Sequence, residues 1–416
     1  MSDDSSGSSR DGGAGSGCYD LAVVGAGIVG LAVAREFLRR RPGSRLIVID
    51  KQARVGYHQT GHNSGVIHSG VYYKPGSLKA RLCVEGARLM YEFCDANAIP
   101  YQRCGKLIVA VRDDELPRLA ELEARGQANG VPGLRRVEAG EIADIEPECR
   151  GRAALHSPDT GIVDYGAVAR ALEGELRSKG VAFALGCAIS VVRRERGQTV
   201  LAHAGGSHRA AWSILCAGLW SDRLAVSAGA SPDPRIVPFR GAYLRLAAGQ
   251  RSVVRGMVYP VPDPQLPFLG VHVTRHVDGH VMLGPTAMLV GARDAYNARA
   301  VRSQDLLSTL SWPGTWIVAR KFWRTGLGEL RMAASRKAFV RACAQYVPVI
   351  ESLKLDPSAT SGVRAQAVSR NGELLDDFAI SHTPGATHVR NAPSPAATSS
   401  LALARELVDR YEATAS

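Results

Sequence analysis

The sequence predicts an α/β fold, with a Rossmann-like nucleotide-binding domain and a second, α+β domain built on an antiparallel sheet. The first observation is VVGAGIVG at 23–30, which follows an apolar strand at 19–24 and leads into a helix. The second is LIVID at 46–50, an apolar strand that ends on an acid. The third is the stretch 235–285, where short alternating runs rich in Val, Tyr, Phe, Pro and Gly are typical of antiparallel strands.

The turn at 25–30 has the Gly-x-Gly-x-x-Gly spacing of a dinucleotide fingerprint. Gly25 and Gly27 have no side chain that would hold a pyrophosphate away from the amides of the helix N-terminus, whose partial positive charge favours an anion. Asp50 follows the last glycine by about 20 residues, where an acid binds a ribose hydroxyl. The predicted contacts in this unit are Gly25, Gly27, Ile28, Gly30, Asp50 and Lys51.

The eight cysteines are scattered through the chain and form no C-x-x-C pair. We therefore expect no zinc cluster or other metal site and no disulfide framework, and a cytoplasmic location fits this composition best. Residues 1–17 consist mainly of Ser, Gly and Asp, so a disordered tail is predicted there. The chain of 416 residues is 45% hydrophobic and long enough for two domains.

The chain carries 51 Lys and Arg against 39 Asp and Glu, a formal net charge of +12. The basic residues are spread along the sequence without a run that alternates with aromatics, so we expect a solvated surface and no nucleic-acid partner. No apolar run is long enough to span a bilayer. The positive charge still allows a peripheral contact with the inner face of a membrane.

Hydrophobic periodicity predicts the remaining elements. Helices are expected at 78–96, 113–129, 167–179 and 398–413, and over 304–346 with a break at TGLGE (325–329). Strands are expected at 107–111, 181–192 and 213–222. The nucleotide-binding domain is assigned to 18–105, 150–235 and 355–416, and the substrate domain to 106–149 and 236–354.

Three further segments favour FAD over NAD, because the longer FAD needs contacts from distant parts of the chain. They are HQTGHNSGVIHSGVYY at 58–73, SILCAGLWSD at 213–222 and NAPSPAATSS at 391–400. The last leads into the terminal helix, and free amides at 396–399 would stabilise the negative charge of a reduced isoalloxazine. The predicted contacts are Thr60, Asn63, Ser64, Gly65, Ile189, Ala217, Gly218, Pro395, Ala396, Ala397 and Thr398.

No second Gly-x-Gly-x-x-Gly follows a later strand. A separate site for NAD(P)H is therefore not expected, and electrons should enter from the substrate itself.

From about Tyr19 to Tyr411 the chain resembles the FAD-dependent oxidoreductases of the D-amino-acid oxidase type. Besides 58–73 and 391–400, the matching segments are FRGAY at 239–243, YPVPDPQLPFLGVHVT at 259–274, RTGLGE at 324–329, GVRAQAV at 362–368 and DDF at 376–378. Within that family it is most similar to the subfamily that oxidises L-2-hydroxyglutarate. One departure is Asp50-Lys51, where the family often has Glu then Lys.

The resemblance implies a Rossmann-like FAD-binding domain and a substrate domain whose antiparallel sheet covers the isoalloxazine. It also implies oxidation of a small dicarboxylate, L-2-hydroxyglutarate, to 2-oxoglutarate, with electrons passed to a quinone or to dioxygen.

Oxidation of a 2-hydroxy acid requires a cation that fixes the carboxylate. We predict Arg364 for this role, because a guanidinium binds a carboxylate through two parallel hydrogen bonds. Arg240 is predicted as a second cation for the distal carboxylate.

The reaction also requires a base for the hydroxyl proton, and a histidine suits neutral pH. His272 is the first choice for this base, His68 the second and His62 the third, while Tyr259 and Tyr243 are expected to orient the substrate.

Two other functions remain open from the residues. One is a flavin oxidase of the same fold for another small anion, such as an amino acid or glycerol 3-phosphate. The other is a non-catalytic flavin-carrying module whose basic surface binds a partner, which the absence of a basic stripe with stacking aromatics disfavours.

Overall fold

The computed structural model describes residues 17–250, 252–264, 266, 269–297, 299–358 and 360–415. Residues 1–16 of the predicted tail lie outside the described residues, as do 265, 267 and 268 of the segment at 259–274. Within the described ranges, no helix combines the length and the apolar character that crossing a membrane requires.

The strands, in chain order, are β1 Tyr19–Val24, β2 Leu46–Asp50, β3 Val66–Ile67, β4 Tyr101–Gln102, β5 Lys106–Ala110, β6 Arg135–Glu138, β7 Ala153–Ser157, β8 Gly161–Val163, β9 Ala182–Leu185, β10 Ile189–Glu195, β11 Gln198–His203, β12 Gly206–Leu215, β13 Arg235–Arg245, β14 Met257–Pro260, β15 His272–Arg275, β16 Val281–Gly284, β17 Met288–Leu289, β18 Thr360–Val368, β19 Ala379–Thr383 and β20 Ala386–Asn391. The helices are α1 Ile28–Arg40, α2 Leu78–Ala96, α3 Leu116–Ala128, α4 Ala139–Ile145, α5 Tyr165–Ser178, α6 Ser221–Ser227, α7 Ser303–Leu310, α8 Pro313–Lys321, α9 Trp323–Ala334, α10 Arg336–Ala344 and α11 Ser400–Ala415.

The first sheet contains the predicted nucleotide-binding unit. Its strands are ordered β10-β11-β12-β1-β2-β9, β20 also pairs with β12, and β19 pairs with β20. β1 runs parallel to β2 and β12, and β2 runs parallel to β9. Leu21 and Val23 of β1 face α1, α2, α5 and α11, while Ala22 and Val24 pack against β10, β11 and α6. Because both faces are covered, these strands are apolar throughout.

The second sheet is ordered β17-β13-β16-β15-β14-β5-β7-β6, and β18 pairs with β13. β5 and β14 run parallel, and the other neighbours are antiparallel. The longest ladder joins β13 to β18, from Arg235 opposite Val368 to Tyr243 opposite Thr360. A small third sheet has the order β3-β8-β4. The predicted α/β fold with a second, antiparallel sheet is confirmed.

Several expected boundaries were wrong. The strand expected at 213–222 ends at Leu215 of β12, and α6 begins at Ser221. TGLGE lies inside α9 instead of breaking a helix; the breaks flank α9, at Phe322 and at Ser335, whose hydroxyl caps α10 by accepting from the Ala338 amide at 3.2 Å. The stretch 181–192 forms β9 and the start of β10, separated by Gly186 in a left-handed conformation with φ of +73°. The terminal helix begins at Ser400.

Sheet membership also departs from the predicted domain division at two strands. β7 falls within 150–235 and β18 within 355–416, yet both pair in the second sheet. Both boundaries were predicted from sequence alone, whereas strand pairing is set by partners distant in the sequence. The division itself stays a prediction.

Candidate active site

The three fingerprint glycines have different roles in the turn between β1 and α1. Gly25 has φ of +112°, and a Cβ there would overlap the carbonyl oxygen of Cys216, while a Cβ on Gly30 would overlap the carbonyl oxygen of Gly25. Gly27 is the N-cap of α1 with an ordinary extended conformation, and a Cβ there would only contact the Thr60 hydroxyl at 3.4 Å. The close backbone packing therefore needs Gly25 and Gly30, whereas at Gly27 a Cβ would meet no backbone atom at short distance, so the predicted phosphate contact remains possible there.

Asp50 ends β2 beside this turn. Its carboxylate accepts from the amides of Ala26 at 2.7 Å and Gln52 at 2.8 Å. Burial raises the pKa of Asp50, and these two amide bonds oppose the shift. The Thr60 hydroxyl accepts from the amide of Ile28 at 3.0 Å, so Thr60 joins the loop 58–73 to the first turn of α1.

The predicted contacts beyond β2 lie near the same edge. The Lys51 ammonium is 3.1 Å from the ring centroid of Trp220, and burial lowers the pKa of Lys51 to about 8. Ala217 and Gly218 follow the end of β12, and a Cβ on Gly218 would contact the Gln59 side chain at 2.7 Å. Ile189 opens β10.

The loop 58–73 is shaped by Asn63. Its amide nitrogen donates to the carbonyl of Thr60 at 2.7 Å, and its side-chain oxygen accepts from the Gly65 amide at 2.8 Å. Gly65 has φ of +71°, and half-buried Ser64 lies between the two. Asn63 therefore fixes the turn, which accounts for its place in the motif without a direct cofactor contact.

The segment 391–400 differs in detail from its prediction. The amides of Ala396 and Ser399 donate to the carbonyls of Pro393 and Pro395 at 2.8 and 2.9 Å, so these two amides are used within the turn and are not free. Thr398 is fully buried, and its hydroxyl accepts from the His68 amide at 3.1 Å. The turn therefore lies against the loop 58–73, as the prediction of one shared site requires.

Orphaned polar atoms test whether this cradle fits a flavin dinucleotide. The buried hydroxyls of Ser399 and Ser400, at the start of α11, have no hydrogen-bond partner within the described residues. The same is true of Nδ1 of His68, in the loop that Thr398 contacts. Buried polar groups without partners are uncommon, and these three, among others elsewhere in the described residues, lie where the cofactor was predicted. The residues fit FAD.

A second cluster lies on the substrate-domain side of His68. His272 and Tyr259 stack with ring centroids 3.9 Å apart, and Tyr72 lies 6.5 Å from Tyr259. The Lys106 ammonium lies 4.6 Å from the ring centroid of Tyr72 and 5.3 Å from that of Tyr259. The strands β5, β14 and β15, which are neighbours in the second sheet, bring three of these residues together.

His272 has one defined ring nitrogen. Its Nδ1 lies 3.1 Å from the carbonyl oxygen of Gly270, and a carbonyl only accepts, so Nδ1 carries the proton and Nε2 carries the lone pair. Burial lowers the pKa of His272 to about 3, and the positive charges of Arg364 and Lys106 also lower it. The ring is therefore neutral at physiological pH and able to accept a proton.

His68 is less well defined as a base. Its side chain is half-buried, and desolvation lowers its pKa well below the usual value, followed by the charges of Lys106 and His272. His62 lies elsewhere: its ring stacks on Tyr296 at 3.9 Å, and its Nδ1 contacts the Ser361 carbonyl at 3.2 Å.

Lys106 is the residue that sequence reasoning missed. It is 1% exposed, and its ammonium has no hydrogen-bond partner within the described residues. Burial lowers the pKa of Lys106 to about 8. The signal in the sequence was a lysine at the start of the otherwise apolar strand KLIVA at 106–110, since a charged residue in a buried strand is expensive without a function.

The two predicted arginines lie on opposite faces of the β13–β18 ladder. Arg364 of β18 is opposite Phe239 of β13. Arg240, the next residue of β13, is opposite Val363. Directly opposed residues share a face and successive residues alternate. Arg364 thus shares its face with Tyr243, whereas Arg240 donates to the Tyr296 carbonyl at 3.4 Å. The structure brings Arg364 to the His272 cluster and places Arg240 with Tyr296, away from it.

Comparison with known sequences identifies close relatives. The profile described as FAD dependent oxidoreductase matches residues 20–410. L-2-hydroxyglutarate dehydrogenase, mitochondrial, from Nematostella vectensis is 45% identical, with 94% of this chain and 90% of the relative covered. L-2-hydroxyglutarate dehydrogenase from Indibacter alkaliphilus is 44% identical (92% and 96% covered), and the mitochondrial protein from Homo sapiens is 42% identical (95% and 89% covered).

Solved structures share the fold. L-alpha-glycerophosphate oxidase from Mycoplasma pneumoniae with FAD bound gives a TM-score of 0.76 at 22% identity, with 94% of each chain covered. Glycine oxidase from Geobacillus kaustophilus gives 0.68 at 19% identity, with 94% of this chain and 95% of that chain covered. At these identities the similarity concerns architecture alone.

Proposed function

The chain belongs to the family of FAD dependent oxidoreductases, and from this premise we propose that it oxidises L-2-hydroxyglutarate to 2-oxoglutarate. The observation that carries the proposal is the placement of two cations: the Lys106 ammonium lies 5.3 Å from the ring centroid of Tyr259, which stacks on His272, and Arg364 lies on the face of the β13–β18 ladder that carries Tyr243. The substrate has two carboxylates and one carbinol, and Lys106, Arg364 and His272 match that set of groups. The names of the relatives support the same substrate.

FAD is the cofactor, and the chain would hold it between the Gly27 turn, Asp50 and the segment 391–400. When bound, it supplies the acceptor for the hydride that leaves the carbinol carbon.

Substrate binding prepares His272 for its role as base. The free site holds two positive charges that lower the proton affinity of His272. The two carboxylates of the substrate offset these charges, so the proton affinity of Nε2 rises when the substrate is present. His272 then takes the hydroxyl proton as the carbinol becomes a ketone, and the stack with Tyr259 keeps its ring in place.

Each carboxylate has its own cation in this proposal. Arg364 binds one through two parallel hydrogen bonds, and Lys106 takes the other, the role that the sequence had assigned to Arg240. The substrate carboxylate also gives the buried Lys106 ammonium an ionic partner, which offsets the free-energy cost of burying that charge alone. Dicarboxylates should therefore bind better than monocarboxylates.

A substrate panel tests this function. The purified holoenzyme is given L-2-hydroxyglutarate, D-2-hydroxyglutarate, L-lactate, glycine and glycerol 3-phosphate with an artificial electron acceptor, and the keto products are identified by mass spectrometry. We expect 2-oxoglutarate from the L isomer and little product from the others. Preferred oxidation of glycine or glycerol 3-phosphate would contradict the proposal and support the alternative substrate.

We also propose a peripheral membrane contact through a surface of α8 and α9. Large apolar side chains there are between 45% and 58% exposed, and α9 has no buried residue. They are Trp316, Ile317, Trp323, Leu327 and Leu330. Arg320, Lys321, Arg324 and Arg331 lie on the same two helices. Aromatic and aliphatic groups bordered by cations suit an anionic phospholipid surface.

Vesicle flotation tests this α8–α9 surface. We expect the protein to float with vesicles of phosphatidylglycerol and phosphatidylcholine, less with phosphatidylcholine alone, and less in high salt. The double change Trp316→Ser and Trp323→Ser should reduce flotation, whereas Val226→Ser, at another exposed apolar residue, should not. Equal flotation of both variants, or none of the wild type, would refute the contact.

Of the two expected electron acceptors, quinone and dioxygen, we favour a membrane quinone. The α8–α9 surface would place the enzyme on the bilayer, at its cytoplasmic face. Reduction of a short-chain quinone at the expense of L-2-hydroxyglutarate supports this choice. Consumption of dioxygen without quinone reduction would assign dioxygen instead.

A further inference from the structure

Three side chains with metal-ligating atoms meet beside the first sheet, whereas the His272 cluster belongs to the second sheet. Cys187 lies in the loop between β9 and β10, His203 ends β11 and His208 lies near the start of β12. One ligand atom of each residue lies within 4.8 Å of the other two. The Sγ of Cys187 is 3.8 Å from Nε2 of His208, and the rings of His203 and His208 are 5.0 Å apart and nearly parallel.

The sulfur-to-nitrogen distance fits coordination of one metal ion. With Zn–S and Zn–N bonds of about 2.3 and 2.0 Å at tetrahedral angles, the two ligand atoms should be about 3.5 Å apart. The observed 3.8 Å is close to that value before any metal-induced movement. A thiol–imidazole hydrogen bond at this length is weak, so metal coordination is the stronger use of the pair.

Backbone hydrogen bonds hold the loop with Cys187 in place. The Cys187 amide donates to the carbonyl of Asp50 at 2.8 Å, and the Gly186 amide donates to that of Gln52 at 2.8 Å. The two histidines share a face of the β11–β12 hairpin, because His208 is opposite Leu201, two residues before His203. A preformed loop and a hairpin lower the cost of ordering the ligands.

His203 makes one contact that coordination would replace. Its Nδ1 accepts from the Gly205 amide at 3.2 Å at the tip of the hairpin. This bond is exposed to solvent, so its loss costs little compared with a metal–nitrogen bond. A cleft of about 470 Å³ borders all three residues and leaves room for a water as fourth ligand.

We propose that Cys187, His203 and His208 form a site for a thiophilic divalent ion, Zn²⁺ in particular, with water completing a tetrahedral set. The thiol loses its proton to solvent on binding, and no redox change is involved. The ion would connect the β9–β10 loop to the β11–β12 hairpin. The expectation of no metal site rested on the missing C-x-x-C pair, whereas these ligands come from separate elements.

Metal titration of the FAD-loaded, full-length protein tests the site. A chelator first removes bound metal, and Zn²⁺ is then added to the dialysed protein. We expect one equivalent of Zn²⁺ to bind and the Tm to rise with Zn²⁺ concentration. Co²⁺ should give intense d–d bands at wavelengths longer than the flavin absorption, as expected for tetrahedral coordination. The flavin absorbance should stay constant through the titration.

Matched variants separate this site from other thiols and histidines. Cys187→Ser and His208→Gln should lose the Co²⁺ bands and the Tm shift, while Cys18→Ser and His276→Gln should keep both. His276 is a useful control because it lies 3.2 Å from Asp278 and so pairs a histidine with another potential metal ligand. Wild-type binding by Cys187→Ser, no binding by the wild type, or release of FAD by Zn²⁺ would overturn the proposal.

Discussion

His272 is held by two contacts that leave Nε2 for chemistry: the Gly270 carbonyl at Nδ1 and the stacked ring of Tyr259. We expect His272→Ala to lower kcat by about 10² or more, because the hydroxyl proton then has no positioned acceptor. Steady-state assays on FAD-loaded protein measure this, with His382→Ala, at a residue outside the cluster, as the control. A His272→Ala enzyme with full kcat would disprove the role, and a larger loss in His68→Ala would move it to His68.

Lys106 should determine the alkaline limb of the pH profile. Its pKa of about 8 means that the ammonium is charged below pH 8 and loses its proton as the pH rises through that value. Because kcat/KM reports the free enzyme, kcat/KM for the dicarboxylate should fall above about pH 8. Lys106→Met should raise KM by about 10- to 100-fold and remove this limb, whereas Lys74→Met, at an exposed lysine, should change neither. A Lys106→Met enzyme with an unaltered pH profile would contradict the assignment.

The two arginines should respond differently to substitution. Arg364→Ala should raise KM by about 10²-fold with unchanged FAD content, because a bidentate carboxylate contact is lost. Arg240→Ala, on the other face of the β13–β18 ladder, should affect KM less. Initial rates over a range of substrate concentrations give both values. An unaltered KM in Arg364→Ala would show that the substrate is anchored elsewhere.

At the scale of elements, the turn between β1 and α1 makes a sharp prediction about cofactor uptake. Gly27 has φ of −77°, which any residue adopts, so Gly27→Val should fold while its side chain fills the space for the phosphate. We expect purified Gly27→Val to lack the flavin absorption and to take up no added FAD. Gly174→Ala, at a helical glycine where a Cβ meets open space, should keep FAD. A yellow Gly27→Val protein would move the phosphate away from this turn.

The elements that could be predicted from sequence are those with local signals. The β1–α1–β2 unit follows from its glycine spacing and apolar strands, and α2 from periodicity at 78–96. No helix or strand was predicted over 132–161, although this stretch contains β6, α4 and β7, whose strands form through long-range pairing. Periodicity carries no information about such partners.

The same limit applies to the site. His272, Tyr259, His68 and Arg364 were found because they lie in motifs, and the structure brings them together. Lys106 was missed because its importance comes from burial without a hydrogen-bond partner, which a sequence does not display. Arg240 was grouped with Arg364 although strand alternation places them on opposite faces once the register is known.

At the scale of the whole molecule, a buried ion pair connects the two sheets. Arg293 is 1% exposed and donates to both carboxylate oxygens of Asp222 in α6, and Asp222 also accepts from the Ile236 amide of β13 at 3.0 Å. Arg293 donates further to the carbonyl of Leu219. The pair therefore joins the end of the first sheet to the long ladder of the second.

Removal of Arg293 should destabilise the protein strongly. Arg293→Ala leaves the Asp222 carboxylate buried without its cation, and we expect a loss of about 3–5 kcal/mol in the free energy of unfolding. Arg193→Ala, at an exposed ion pair with Glu195, should cost less than about 1 kcal/mol. Chemical denaturation of both variants provides the comparison. Equal stability of the two would mean that the buried pair does not hold the sheets together.

In the proposed function, FAD lies next to a site that binds a hydroxy acid with two carboxylates. Anaerobic titration of the FAD-loaded protein with L-2-hydroxyglutarate, followed by absorbance, tests it most directly. We expect stoichiometric bleaching of the flavin by the L isomer with formation of 2-oxoglutarate, and no bleaching by the D isomer. A flavin that stays oxidised in saturating L-2-hydroxyglutarate would contradict it.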